Sequence, residues 1–400
     1  MIIHPLETLL VAALVLLVGR FVNRLIPFLS HYNIPDPITG GLLFAVVLSA
    51  ARAFNDLDIE FVASLRPVLL LTFFAAVGLS ADLSLLKQGG RRLLMFVLVL
   101  IPFLLFQNIV GVLIAWGLDL HPLMGLVGGS ITLIGGHGTG AAYAERFAEV
   151  NNLQSVMELS MTAATLGLIL GGIAGGPLGE WLITRHRLAG ASRDSISPTA
   201  QRPPAPAPPP PLTSARFVPV LAATLVAVIG GQWIADAVGD GPITLPSFLW
   251  CLLLGVLIRN AGSLVGLKLC DQGVELISSL NLSLFLAMTM MALNLASVVT
   301  LAGPLLLILV GQLTLVLVFG AWLTFRAVGR DYEGAVMSAA FCGFAMGATA
   351  TAIANMQAIT QKYGPAPQAF IVVPLVGAFL IDLINALVLT GFLSLSWIGA

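Results

Sequence analysis

The strongest constraint on this chain is a series of about ten apolar runs, each near the 20 residues that an α-helix needs to cross a bilayer. The runs cover about 6–28, 34–54, 62–81, 93–118, 155–183, 217–238, 243–265, 275–298, 301–326 and 368–393. With 58% hydrophobic and 9% charged residues, the chain has too little polar surface for a soluble domain. A net charge of −1 argues against a nucleic-acid partner. We therefore expect a polytopic protein embedded in the lipid bilayer.

The distribution of basic residues predicts how these spans are oriented. If the N-terminus is external, all but three of the 18 Lys and Arg residues face the cytoplasm. The exceptions are Arg52, Arg66 and Arg146. This asymmetry is the one that the positive-inside rule describes. We expect a membrane protein with both termini on the external side.

One long polar stretch, residues 184–216, interrupts the apolar runs and is dense in proline between 203 and 211. Proline at this density forms an extended, semi-rigid spacer. The stretch predicts a cytoplasmic linker between an N-terminal unit, 1–183, and a C-terminal unit, 217–400. A ligand for a proline-recognition domain is the alternative.

A faint internal repeat relates the two units. Residues 135–142 match 342–349 at a shift of 207, and weaker matches lie at shifts near 210. Because five spans is an odd number, the second unit starts on the opposite face and is inverted, as is typical of secondary transporters. The predicted fold is an all-α polytopic membrane protein with ten transmembrane helices as two inverted five-helix repeats and two opposed re-entrant hairpins. A structural duplication without a transport role is the alternative.

The hairpins are predicted from two glycine-rich stretches, 121–143 and 334–358. Glycine makes a poor lipid-facing helix, and irregular backbone must be buried in protein or line a cavity. By the charge distribution, each stretch enters and leaves on one side, and the two approach the midplane from opposite faces. Broken helices at that depth present N–H groups to an anion and carbonyl groups to a cation.

Neutral hydrogen-bonding side chains lie beside both breaks: Thr139 in the first, and Thr349, Thr351 and Asn355 in the second. This chemistry suits a carboxylate substrate together with Na+. The alternative is close packing of helices through small residues. We expect such packing for Gly171, Gly175 and Gly179, which are four residues apart.

Acidic residues within apolar runs are functional candidates, because a lone carboxylate in a membrane is costly. Asp382 lies near the centre of a run, and Asn385 shares its helix face. Together they could supply oxygen ligands to Na+. Glu158, near the outer end of another run, is a further candidate ligand, although a protonated structural carboxyl is the alternative for both acids. His137 could titrate or bond the substrate, or serve only packing.

Four segments resemble signatures of bacterial sodium/glutamate symporters. GGHGTGAA at 135–142 is similar to the first signature loop and GFAMGATATAIANMQ at 343–357 to the second, and 282–288 and 376–387 also fit. Ala345 and Ala350 stand where that family usually has Gly and Pro. The predicted substrate-binding residues, which lie in these two loops, are Gly135, Gly136, His137, Gly138, Thr139, Gly140, Gly343, Gly347, Thr349, Thr351 and Asn355.

The resemblance implies Na+-driven uptake of L-glutamate by a homodimer, in which a mobile domain carries the site past a scaffold in an elevator-like movement. Symport of citrate or another small carboxylate is a related alternative. An intramembrane hydrolase using His137 with Asp382 or Glu158 is remote, because no HExxH or GxSxG motif is present. We therefore expect a transporter and not an enzyme, although a channel is also possible.

Overall fold

The computed structural model describes residues 2–55, 60–62, 64–153, 155–188, 211–238, 245–264, 266–395 and 398. Within this part the chain is helical, apart from one parallel pair of two-residue strands, β1 (Ile2–Ile3) and β2 (Glu60–Phe61). The helical architecture predicted from the sequence is thus confirmed. Most of the predicted proline-rich linker lies outside the described residues, since α8 runs to His186 and α9 begins at Ser214.

The helices follow one another in two series. The first comprises α1 (Pro5–Leu25), α2 (Pro27–His31), α3 (Asp36–Asn55), α4 (Arg66–Ser80), α5 (Leu86–Gly117), α6 (Pro122–Leu126), α7 (Gly136–Val150) and α8 (Val156–His186). The second comprises α9 (Ser214–Val238), α10 (Ser247–Leu264), α11 (Asp271–Met291), α12 (Leu295–Val318), α13 (Phe325–Val328), α14 (Tyr332–Met346), α15 (Thr349–Tyr363), α16 (Ala369–Leu375) and α17 (Ile381–Leu393). A 3₁₀ turn covers Leu83–Leu85, and π-helical segments cover Val127–Ile131, Phe319–Thr324 and Val376–Leu380.

Eight helical stretches in the described part are long and apolar enough to cross a membrane, so the protein is a multi-pass membrane protein. They are Pro5–Leu25, Arg66–Leu85, Gly89–Gly117, Val156–His186, Ser214–Val238, Ser247–Leu264, Asp271–Met291 and Leu295–Val328. The other two predicted spans correspond to shorter apolar helices. One is α3, and the other is divided into α16, a π-helical segment and α17. The count of ten crossings therefore stays a prediction.

One predicted boundary was wrong. The apolar run 275–298 predicts a single span, but α11 ends at Met291 and α12 begins at Leu295. Asn294 caps the new helix, because its side-chain oxygen accepts a hydrogen bond from Ala296 N at 3.1 Å. An Asn in this position satisfies an N–H group that would otherwise be unpaired. The following helical stretch consequently starts earlier than predicted and continues to Val328.

Small residues on α8 allow the second hairpin to pack closely against it. A Cβ atom at Gly171 would lie 3.0 Å from Met346 Cβ. At Gly175 and Gly179 a Cβ atom would overlap with side chains of α15. The packing role predicted for these three glycines is confirmed.

The second hairpin is enclosed by protein, as its composition requires. Every residue of α14 except Glu333 is buried. Phe341 on this helix packs edge-on against Phe103 of α5, with ring centroids 4.8 Å apart. A helix so rich in Gly and Ala has little apolar side chain to offer lipid, so its position among larger neighbours stabilises it.

Ion pairs fasten the base of the second hairpin and the nearby loops. Arg92 bonds Asp331 at the start of α14 at 2.5 Å, and Lys362 at the end of α15 bonds Glu180 of α8. Arg259 of α10 bonds Asp82 at 3.4 Å and Asp271 at 2.8 Å. Each pair joins residues from segments that the charge distribution places on the same face of the membrane.

Candidate functional site

The first break in a helix lies between α6 and α7. Within the π-helical segment Val127–Ile131, Gly129 has non-helical backbone angles, φ −103° and ψ −133°. A turn follows, and α7 begins at Gly136 with φ +66°, a conformation that L residues rarely adopt. The chain then reverses, since a Cβ atom at Gly140 would lie 3.0 Å from Thr132 Cγ2.

The second break separates α14 from α15. Gly347 and Ala348, between the two helices, have non-helical φ angles of −155° and −165°. The helices then run antiparallel, because Asn355 Nδ2 donates to Ala339 O at 3.3 Å. A Cβ atom at Gly343 would lie 2.6 Å from Ala352 N, so this glycine permits the close contact. Residues 347 and 348 therefore form the tip of a tight helical hairpin.

The tips of the two hairpins meet at one cavity of about 160 Å³. Its lining residues are Ile134, Gly135, Gly136, Phe344, Gly347, Ala348, Thr349, Gly377, Ile381 and Asp382. Both α7 and α15 begin at this cavity, and each is 15 residues long. The N-terminus of a helix carries a partial positive charge and unpaired N–H groups, so two such ends create a place for an anion.

A third element completes the cavity. The π-helical segment Val376–Leu380 leads into α17, where Asp382 lines the cavity and is half-buried. Thr349 Oγ1 donates to Gly377 O at 3.1 Å and so joins the second tip to this segment. Asp382 forms no ion pair with any described residue. Its carboxylate is therefore free to attract a cation beside the two helix N-termini.

Beside this cavity lies a buried group of uncharged side chains, which we call the amide cluster: Gln107, Asn108, Gln312 and Asn385 around Ser130. All five are at most 1% exposed. Asn108 Oδ1 accepts from Ser130 N at 3.2 Å, and Asn385 Nδ2 donates to Ser130 O at 3.0 Å. The cluster thus holds the irregular backbone of the first break in place.

The amide cluster also reaches the second hairpin and retains unused oxygen atoms. Gln312 Nε2 donates to Gln107 O at 2.8 Å, and Gln107 Nε2 donates to Ala345 O at 2.9 Å. Four of its buried oxygens have no hydrogen-bond partner among the described residues: Gln107 Oε1, Gln312 Oε1, Asn385 Oδ1 and Ser130 Oγ. Unpaired buried oxygens are costly, and they are the type of ligand that a hard cation prefers.

Four members of the amide cluster were not predicted from the sequence: Gln107, Asn108, Ser130 and Gln312. A signal was present, because Gln107 and Gln312 are polar residues within long apolar runs. They also lie 205 residues apart, close to the shift of the internal repeat.

The other residues predicted in the first motif are not among those that line the cavity. His137 is 7% exposed, and its Nε2 lies 3.0 Å from Thr165 Oγ1 of α8. Because that hydroxyl already donates to Met161 O, the imidazole nitrogen is the donor. Gly138 and Gly140 face the neighbouring helices: a Cβ atom at Gly138 would lie 2.8 Å from Phe73 Cε1, and one at Gly140 2.5 Å from Ser160 Oγ. Thr139 is half-buried and does not line the cavity.

In the second motif, Asn355 is a structural link. Its Nδ2 donates to Gly171 O of α8 at 2.9 Å as well as to Ala339 O. Thr351 is 2% exposed, its hydroxyl has no hydrogen-bond partner within the described ranges, and it does not line the cavity.

Glu158 lies on the first turn of α8 and is not part of the cavity. Its Oε1 accepts a hydrogen bond from Asn294 N at 3.1 Å, next to the start of α12. This contact joins the start of α8 to the start of α12, so we leave Glu158 out of the site that we propose below.

Two helical hairpins, each formed at a break in a helix, meet tip to tip beside an acidic residue inside a multi-pass helical protein. This arrangement is that of a secondary transporter. The family model described as Sodium/glutamate symporter matches residues 1–365. The chain is 41% identical over 395 residues to the sodium/glutamate symporter of Escherichia coli, and the alignment covers 98% of each chain. It is 38% identical over 393 residues to that of Haemophilus influenzae, which covers 96% of this chain and 95% of the relative.

The chain therefore belongs to the sodium/glutamate symporter family. The family resemblance recognised in its motifs is confirmed, and so is the expectation of a transporter rather than an enzyme. Among solved structures, the sodium proton antiporter of Methanocaldococcus jannaschii aligns over 99% of both chains with 15% identity and a TM-score of 0.42. At this level of similarity, the comparison is not evidence for the fold or the function of this chain.

Proposed function

We propose that this chain imports L-glutamate together with Na+ across the bacterial inner membrane by alternating access. The cavity between the two hairpin tips carries the proposal, because it combines two helix N-termini with the carboxylate of Asp382. Glutamate has two carboxylates and one ammonium group. The carboxylates suit the helix ends, and Asp382 suits the ammonium group or a nearby Na+.

In this proposal the substrate contacts the backbone of the tips. Gly135 and Gly136 in the first hairpin, and Gly347 and Thr349 in the second, line the cavity and are the proposed contacts. Other residues of the two motifs shape the hairpins that carry these groups. They are His137, Gly138, Thr139, Gly140, Gly343, Thr351 and Asn355.

Asp382 and Asn385 are the proposed Na+ ligands. Asp382 supplies a charged oxygen at the cavity, and Asn385 Oδ1 is a buried neutral oxygen that accepts no hydrogen bond from any described residue. The two are three residues apart on α17, so they lie on one helix face. Coupling requires Na+ to interact differently with the loaded and the empty protein, which a site shared with the substrate provides.

We further propose ten crossings in two inverted units, 1–183 and 217–400, with both termini periplasmic and the linker 184–216 cytoplasmic. The charge distribution and the repeat shift support this arrangement. A homodimer with elevator-like movement follows from the family resemblance. Single cysteines placed in the linker and near the C-terminus, probed with an impermeant thiol reagent, test the topology: only the C-terminal cysteine should react in intact cells after outer-membrane permeabilisation.

Uptake of labelled glutamate by the purified, reconstituted protein tests the main proposal. An inward Na+ gradient should drive accumulation above the external concentration, and collapse of the gradient should abolish it. Excess glutamate should compete more strongly than aspartate or citrate. Stronger competition by citrate would favour a symporter for another carboxylate, whereas equilibration without accumulation would indicate a channel.

A further inference from the structure

Another cavity, which shares no lining residue with the cavity between the hairpin tips, lies where α8 ends beside the segment 319–330. It has a volume of about 370 Å³, and we call it the arginine cavity. Its lining residues are Trp181, Arg185, His186, Ala321, Trp322, Phe325, Arg326 and Arg330. None of these residues is acidic. The charge distribution places this end of both helices on the cytoplasmic face.

Three guanidinium groups line this cavity, and none of them is paired with a carboxylate in the part of the chain that the structure describes. Arg185, Arg326 and Arg330 form no ion pair with any described residue. The nearest acids along the chain are engaged elsewhere: Glu180 bonds Lys362, and Asp331 bonds Arg92 at 2.5 Å. Three like charges around one cavity repel each other, so an anion bound there would be favoured.

The tryptophans locate the cavity at the level of lipid headgroups. Trp181 is 49% exposed and Trp322 is 63% exposed. Exposed Trp at the end of an apolar helix is typical of the membrane–water interface. Arg326 stacks on Trp322, with its Cζ 4.6 Å from the ring centroid, which directs a planar guanidinium group towards this level. Arginine suits phosphate because it can bind two oxygens at once.

We propose that the arginine cavity binds the phosphate headgroup of an anionic phospholipid from the cytoplasmic leaflet. A basic cavity between membrane helices on the cytoplasmic side is the arrangement expected for such a headgroup. The adjoining lipid-facing helix surfaces offer a place for the acyl chains, since Leu323 and Ile173 are exposed. A bound lipid would join α8 to the end of the α12–α13 stretch.

Native mass spectrometry of the detergent-purified protein, titrated with phosphatidylglycerol, phosphatidylcholine or inorganic phosphate, tests this proposal. Phosphatidylglycerol should bind more tightly than the other two. In the triple variant Arg185→Gln, Arg326→Gln, Arg330→Gln, its affinity should fall by about fivefold for each arginine removed. The matched control is Arg20→Gln, Arg24→Gln, Lys87→Gln, which removes the same charge from exposed residues outside the cavity.

The control variant should retain the affinity of the unmodified protein for phosphatidylglycerol. Replacement of the three arginines by lysine retains the charge, so it guards against misfolding, and it should give an intermediate affinity because lysine cannot bind two oxygens in the same way. An equal loss in the control variant would overturn the proposal in favour of general surface charge. Equally tight binding of inorganic phosphate would overturn it in favour of a soluble anion.

Discussion

Two buried asparagines give a sharp test of the proposed Na+ site, because both donate hydrogen bonds to backbone but only one lies beside the cavity. Asn385→Ala removes one hydrogen bond, to Ser130 O, whereas Asn355→Ala removes two, to Gly171 O and Ala339 O. Side-chain hydrogen bonds in membrane proteins contribute about 0.6 kcal/mol on average and up to about 1.7 kcal/mol. Asn355→Ala should therefore lower the free energy of unfolding by about 1–3 kcal/mol, roughly twice the effect of Asn385→Ala.

For the Na+ dependence of uptake, Asn385→Ala should have the larger effect of the two variants. If Asn385 Oδ1 binds the ion, its loss is comparable to losing a hydrogen bond to a charged group, about 1.5–3 kcal/mol. The Na+ concentration for half-maximal uptake should then rise by about 10- to 100-fold in Asn385→Ala. It should stay near the unmodified value in Asn355→Ala. Denaturant unfolding in detergent and Na+ titration of uptake in proteoliposomes measure the two effects. A rise in half-saturating Na+ that is equal in both variants, or larger in Asn355→Ala, would refute the reasoning.

Three further substitutions probe the cavity. Asp382→Asn removes the charge but keeps the shape, so it should raise the half-saturating Na+ concentration by about tenfold or more, or abolish uptake, with normal membrane insertion. The control Glu158→Gln, outside the cavity, should leave the Na+ titration of uptake unchanged. An unchanged titration in Asp382→Asn would remove that residue from the mechanism. Gly136→Ala places a Cβ atom on a residue with φ +66°, which costs about 1–2 kcal/mol, so it should weaken glutamate binding. The control Gly176→Ala, at a helical position with open space, should not weaken it. Equal glutamate binding in both variants would count against a role of the first hairpin tip in the site. Thr349→Val loses the hydroxyl bond that joins the second tip to the neighbouring segment, so half-saturating glutamate should rise by about three- to tenfold, and an unchanged value would exclude that bond from the site.

The features that the sequence predicted well are those that one segment determines by itself. Apolar length predicts membrane helices, and the glycine content of 334–358 predicts a buried, broken hairpin because lipid cannot solvate irregular backbone. The four-residue spacing of Gly171, Gly175 and Gly179 predicts a close helix contact, because it places three small residues on one face of the helix.

Features that depend on which segments become neighbours could not be predicted in this way. Asn355 and Asn385 are both buried amides near hairpin motifs, yet one bonds α8 and the other bonds the first break. Sequence spacing does not reveal those partners. Glu158 is a candidate Na+ ligand by sequence because it is an acid within an apolar run. Its carboxylate accepts a hydrogen bond from Asn294 N, which lies 136 residues away along the chain.

Cysteine accessibility at the second hairpin tip tests the central claim most directly, because the claim is that both tips form one site for glutamate and Na+. Ala348→Cys adds a thiol at a residue that lines the cavity, in a background where the buried Cys251, Cys270 and Cys342 are replaced by alanine. The measured quantity is the rate of its modification by a small thiol reagent. We predict that glutamate and Na+ together slow this rate in proportion to occupancy, whereas either alone has little effect. A rate that is the same with and without both ligands would contradict the account.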